Sequence, residues 1–205
     1  MEDGMKKQLI ILLAASAIIL SLLLVGCNSV TKIDDFKESL ENAESLELKM
    51  TVSAVGMDLS YTSIMKIDGN KSYYEETGES PYYTEYSDGY LYTYTHSENS
   101  GWSKDYGKYV PESSDKGDPL SQYSFEELFN GKNYEYSKDY KVYMLKGNVD
   151  DIDLGGIVLK KVELTLKDGD CTIEAVSDFE GVPANIKLEF KNVDSTVITL
   201  PQVGQ

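Results

Sequence analysis

The feature that most restricts the fold of this chain is a repeated alternation of apolar and polar side chains, broken at short intervals by turn-forming residues. In Leu46-Glu-Leu-Lys-Met-Thr-Val-Ser-Ala54 the apolar residues take every second position, which makes a strand with one buried and one wet face. Gly56-Met57-Asp58 interrupts it, Leu59 to Ile67 reads as the next strand, and Asp68-Gly69-Asn70 is a hairpin turn. Lys71 to Glu76, Tyr82 to Tyr86 and Tyr90 to Thr95 continue the series, the last two joined by Ser87-Asp88-Gly89. Nearer the C-terminus, Tyr140 to Lys146, Ile157 to Lys167, Cys171 to Phe179 and Asn185 to Lys191 are strand candidates. Asp168-Gly169-Asp170 and Glu180-Gly181-Val182-Pro183 supply turns between them. Alternation of this kind with short connections belongs to an antiparallel sheet, since a parallel sheet is buried on both faces.

Two segments change period. Ile33, Phe36, Leu40 and Ala43 recur at helical spacing, and Thr31 followed by Asp34 resembles a capping box. Ser124 to Phe129 is a second, shorter helix, with Ser124 as its cap and Asn130-Gly131 as its stop. The fold class expected is α+β: an antiparallel sheet accompanied by an N-terminal and a mid-chain helix. No Pro-rich or low-complexity linker divides residues 33–205, so they form one domain.

Residues 1–26 read as an export signal. Lys6 and Lys7 form a short basic head, and an apolar or small-residue run from Leu9 to Gly26 follows. The acidic Glu2 and Asp3 are foreign to such a head, so Met5 competes with Met1 as the start. Leu24-Val25-Gly26-Cys27 resembles the lipobox of bacterial lipoproteins. That resemblance implies cleavage before Cys27, a diacylglyceryl thioether on its sulfur and acylation, such as palmitate, on the new amino terminus. The competing reading is an uncleaved spanning helix, which has no need of Gly-Cys at its outer end. Residues 27–32 form a short tether reaching about 17 Å when extended, which keeps the domain close to the membrane. The expected location is the extracytoplasmic face of the cell membrane, lipid-anchored through Cys27.

Charge narrows the partners. The chain has a net charge of -16 and no arginine. The leader holds two lysines and two acids, so the mature part carries the whole imbalance. Nucleic acid is excluded as a partner, because phosphate recognition wants a basic surface and the guanidinium fork. With Cys27 lipidated, Cys171 is alone; on the apolar face of its strand it reads as a buried, inert thiol. Hydrophobic packing, without an internal disulfide, must hold the domain together.

The element order then resembles a known family. A leading helix, the strand Ser45 to Ser53, a hairpin around Ile64-Met-Lys-Ile-Asp-Gly-Asn70, strands from Tyr82 to Tyr94, a mid-chain helix and a last short strand, Thr196-Val-Ile-Thr-Leu200, stopped by Pro201, are similar to the LolA-like lipoprotein superfamily, including the LppX and LprG group. The resemblance covers nearly the whole mature chain through loose patterns. It implies a curved antiparallel sheet, a half-barrel with helices packed on its concave face, sheltering acyl chains of lipids or lipoproteins. The arginine through which the Gram-negative carrier engages its cargo has no counterpart here. In such a half-barrel the inward faces of the alternating strands, Leu46, Leu48, Met50, Val52, Tyr61, Met65, Ile186, Leu188 and Phe190, would form the lining, with Phe36 and Leu40 on the lid.

Tyrosine is the compositional oddity. All 16 lie between Tyr61 and Tyr143, ten of them between Tyr73 and Tyr109 with Trp102 among them. Tyr90, Tyr92 and Tyr94 alternate, so one strand face is a tyrosine ladder. Three readings stand: an amphipathic filler of a half-wet strand, a platform for a glycan or peptide, or the rim of a lipid cavity. Spacing does not separate them.

Catalytic signatures are missing. His96 is the lone histidine, in a polar stretch that reads as a loop, and neither Gly-x-Ser-x-Gly nor His-Glu-x-x-His occurs. Asp150, Asp151 and Asp153 lack calcium-loop spacing and read as a solvated turn. No enzyme, cofactor or metal is expected, and a monomer is. Two functions remain open: a binder or carrier of a lipid, lipoprotein or other amphiphile, and a surface lipoprotein that binds a protein or glycan through its Tyr-rich strands.

Overall fold

The computed structural model describes residues 32–56, 58, 60–108, 125–154, 156–179 and 182–203. The leader, Cys27, the tether up to Thr31, the Ser124 cap and the Glu180-Gly181 half of one turn lie outside the described residues.

Helix α1 covers 32–41 and buries Ile33 and Phe36 on one side. Strands β1 (Ser45–Ala54), β2 (Ser60–Asp68), β3 (Lys71–Glu76), β4 (Tyr82–Ser87), β5 (Tyr90–Ser97) and β6 (Gly101–Lys108) follow. Then come α2 (Phe125–Leu128), a 3-10 turn (Gly131–Asn133), β7 (Tyr134–Ser137), β8 (Val142–Leu145), β9 (Ile152–Asp153), β10 (Val158–Lys167), β11 (Asp170–Phe179) and β12 (Val182–Lys191). They form one antiparallel sheet in the order β6-β5-β4-β3-β2-β1-β12-β11-β10-β8-β7, with β9 paired to β10. Among the described residues the sheet does not close, and β6 and β7 are its ends. Strand β1 meets β12 in the centre, with Leu48 opposite Phe190 and Met50 opposite Leu188.

The hairpins follow from turn chemistry. At Asp88-Gly89 both residues have positive φ, 54° and 80°, with Ser87 paired to Tyr90. Asp168-Gly169 repeats this between Lys167 and Asp170. A two-residue turn of that hand matches the right-handed twist of the strands it joins, and Asp and Gly tolerate it best.

Both helices lie on the same, concave face of the sheet. Phe36 of α1 and Phe125 and Phe129 at α2 surround Phe190 of β12, with ring centroids 6.2, 5.4 and 5.4 Å away and near-perpendicular planes. Polar ties fix the two helices: the Gly131 amide donates to Asp34 Oδ1 at 3.1 Å, and the buried Tyr134 hydroxyl donates to the Leu128 carbonyl at 2.7 Å. The second bond satisfies a carbonyl that the end of α2 would otherwise orphan. The α+β half-barrel expected from the sequence is the fold observed.

Several local expectations are corrected. Strands β6, β7 and β9 were not foreseen. Gly101–Lys108 lacks apolar alternation because it is a strand at the sheet's end, with little to bury. His96 does not sit in a loop; it belongs to β5 and pairs with Trp102 of β6. Thr196 to Leu200 is not a strand. Thr196 and Ile198 are buried, and in place of a ladder the Thr196 amide donates to Ser45 Oγ and the Asn192 carbonyl and the Ile198 amide to Asp68 Oδ2. Alternation showed that this segment has a buried side but not what its backbone would meet.

Strand β10 carries a bulge. Its register to β11 shifts between Lys160 and Glu163, with Lys161 at φ 51°. Val162, Leu164 and Leu166 keep one parity; the extra residue then returns Leu159 to the inner face, where it is fully buried.

Candidate ligand cavity on the concave face

Directly opposed residues of adjacent strands share a face, so the register lays out the concave wall. One row runs Cys171, Phe190, Leu48, Met65, Tyr74, Tyr82 across six strands. The next runs Ile173, Leu188, Met50, Ser63, Glu76, and a third Ala175, Ile186, Val52, Tyr61. The first residues of each row are covered by the helices and packed solid. Further along, the cover among the described residues is α2 and the turn before β10, and they border a cavity of about 210 Å³.

Its floor is Leu48, Met50, Met65, Ile186 and Leu188, with Ser63 between; Phe125 and Leu154 join Ile157 and Leu159 on the covering side, and Tyr74 and Tyr82 form one end. No charged residue is among these lining residues. A charge moved here from water would be heavily penalised, whereas apolar atoms are favoured by about 25 cal/mol per Å² of surface removed from water.

Of the residues expected to line a cavity, Leu48, Met50, Met65, Ile186 and Leu188 do so. The others are placed differently. Phe36 and Phe190 belong to the closed ring cluster of the core. Leu46 is buried in that same core, and Leu40 and Val52 pack against it partly buried. Tyr61 is 37% exposed and turned to Glu76. The helices therefore fill one part of the concavity, and among the described residues another part is open. Ser63, Tyr74, Tyr82, Phe125, Leu154, Ile157 and Leu159 were missed. Tyr74 and Tyr82 were within reach of the sequence: counting outward from the Asp68-Gly69-Asn70 turn puts Met65 opposite Tyr74. Leu159 and Ile157 were not, because the bulge at Lys161 reverses their facing.

A polar group stands at the tyrosine end. Tyr61 and Tyr74 both donate their hydroxyls to Glu76 Oε2, at 2.5 and 2.7 Å. These two bonds hold the Glu76 carboxyl below the usual carboxylate range. The bond to Glu76, and then burial, push the Tyr74 phenol up; burial first and then the Glu76 charge do the same for Tyr82. Tyr74 thus remains a neutral donor, and Tyr82 a neutral ring, beside an ionised carboxylate.

The outer face of the same strands holds the tyrosine ladder. Tyr90, Tyr92 and Tyr106 cluster with centroids about 6 Å apart, and Lys104 Nζ lies 4.0 Å from the Tyr92 centroid and 4.8 Å from that of Tyr94. Tyr73, Tyr83, Trp102 and His96 form a second chain of ring contacts. The tyrosine-rich segment therefore splits: Tyr74 and Tyr82 rim the cavity while the ladder faces away from it.

Other chemistry is sparse. His96 touches Trp102 at 5.1 Å between centroids. Among the described residues no group of three or more His, Cys, Asp or Glu converges as metal ligands. Asp153 Oδ1 accepts from the Gly156 amide, a local turn contact. Cys171 is fully buried, and burial, ahead of the nearby Asp170 charge, pushes its thiol far above the ordinary range. A larger depression of about 430 Å³ lies between α1 and the β10–β11 turn, but Lys32, Asp35, Lys167, Asp168, Asp170 and Asp194 line it and it opens to solvent. No helix among the described residues is long and apolar enough to cross a membrane.

No family model matches the chain, and no curated protein matches it. Among solved structures, it is similar to a DUF1329 family protein from Desulfovibrio piger at 11% identity and a TM-score of 0.24, over 84% of this chain and 92% of that one.

Proposed function

We propose that this chain is an extracytoplasmic lipoprotein, anchored through Cys27, that holds a small amphiphile in the concave-face cavity and performs no catalysis on it. The observation that carries the reading is the uncharged cavity itself, lined mainly by apolar side chains and ending at two tyrosines. Sites for drug-sized ligands run from about 300 to 1,000 Å³, so a space of about 210 Å³ suits one short acyl chain or a small ring system better than a multi-chain lipid. The resemblance of the element order to LolA-like lipoproteins and the Leu-Val-Gly-Cys motif support the class of function and the anchoring. Mass spectrometry of organic extracts from the purified lipoprotein tests it, together with titration by the neutral apolar dye N-phenyl-1-naphthylamine. Recovery of a stoichiometric small amphiphile, or saturable dye binding lost on blocking the cavity, is expected. Absence of both overturns the reading.

A second reading draws on the outer face, where Tyr106 is 67% and Tyr90 40% exposed. Clustered exposed aromatics on a soluble surface mark contact sites, and here they would engage a glycan or a protein. Tyr90→Ser with Tyr106→Ser should abolish that contact without altering dye binding in the cavity.

A further inference from the structure

Around the tyrosine end of the cavity lysine is confined to one face of the sheet: the outer face of β1 to β6 mixes lysines with Glu47, Asp68, Glu75 and Glu85, whereas the charges on the concave face are all acidic. Every lysine on β1 to β6, namely Lys49, Lys66, Lys71, Lys104 and Lys108, has outer-face parity in the register. The concave face of those strands carries Glu76, opposite Ser63, and Asp105, opposite Thr93, and no lysine. Glu76 is fixed at the rim by the Tyr74 hydroxyl, whose own ring lines the cavity, and by that of Tyr61. The Tyr74 and Tyr82 rings lie against each other at 5.3 Å between centroids. An ammonium group finds here what stabilises it: a carboxylate with its geometry preset, and electron-rich ring faces that attract cations without requiring proton transfer. A carboxylate or phosphate head would meet Glu76 with no lysine on the concave face of β1 to β6 to offset the repulsion.

We infer that the cavity selects a single-chain amphiphile with a cationic ammonium head, its tail among Met50, Met65 and Leu188 and its head between Glu76 and the tyrosines. This rests on the cavity-binding function proposed above and adds the identity of the head. Its ionised form is available at neutral pH, since the tyrosine hydroxyls hold Glu76 below the usual carboxylate range.

The test uses the full-length chain kept soluble in a non-ionic amphipol, with heats for amphipol alone subtracted. Hexyltrimethylammonium, hexanoate and hexanol share one tail and differ in head charge. Isothermal titration should show the cation binding at least about tenfold more tightly than the carboxylate, with the alcohol between. The net charge of -16 favours any cation, so position must be separated from total charge. Glu76→Gln should remove most of the difference, while Glu135→Gln, exposed on the far strand β7, should leave it intact. Equal binding of the three probes, or equal effects of the two substitutions, overturns the head selectivity and leaves the cavity reading standing. Binding of none of them overturns both.

Discussion

Replacing Met50 by Phe tests whether the cavity is space awaiting a ligand or merely a loosely drawn core. Met50 lines it from the centre of β1, opposite Leu188 and Ser63; Val52, one step along, only packs against the core. At about 24 cal/mol per Å³, a wholly dry, unfilled space of about 210 Å³ forgoes on the order of 5 kcal/mol. That is an upper limit, because the site has a mouth that admits water. A phenyl ring growing into free space recovers a part of it, so the ligand-free variant should be neutral or stabilised by up to about 1 kcal/mol. If the side chains already fill the space, overpacking costs about 1–3 kcal/mol. For a chain of this size that is a fall in Tm of about 2–12 °C. The assay is thermal unfolding of ligand-free protein, followed by circular dichroism, alongside titration with N-phenyl-1-naphthylamine. Unchanged or raised Tm with weakened dye binding is expected. A fall of more than about 4 °C with undiminished dye binding would refute the reasoning.

Phe190→Ala strikes the half of the concavity that is packed solid; with the ring fully buried against three others, a loss of about 3–5 kcal/mol in urea unfolding is expected, and a loss under 1 kcal/mol would show the helices are not seated on the sheet. Cys171 should react with a thiol reagent only at the rate of global opening, since burial removes access and disfavours the thiolate; rapid native labelling would contradict its placement. Glu189 accepts from Lys191 at 2.9 Å and lies 3.5 Å from Lys187, and these partners hold its carboxyl below the usual range. Its contribution is therefore present above the ordinary glutamate pKa and lost as pH falls through the folded-state value. Glu189→Gln should flatten the acid limb of the stability profile below about pH 4, and an unchanged limb would rule the contribution out. Cys27→Ala should abolish metabolic labelling by a fatty-acid analogue, and undiminished label would overturn the anchor.

How much of this was legible beforehand divides along a physical line. Local chemistry speaks in sequence: alternation over Ser45–Ala54 and Cys171 to Phe179 required strands with one buried face, and Asp88-Gly89 required a tight hairpin, because side-chain direction and turn handedness are properties of a few adjacent residues. The five cavity residues on β1, β2 and β12 were readable for the same reason. Facts that depend on distant segments meeting were not. Pairing of β1 with β12 puts Met50 beside Leu188, residues far apart along the chain. One extra residue at Lys161 turns Leu159 and Ile157 from solvent to cavity, since strand facing has a period of two and a single insertion inverts it. The extent of the open space was likewise a tertiary decision. Four phenylalanines from three segments converge on one end of the concavity and close it, and among the described residues no such cluster covers the end beside Tyr74, Tyr82 and Glu76. Alternation tells which side chains turn inward; only the meeting of sheet and helices decides which of them find partners and which are left facing a void.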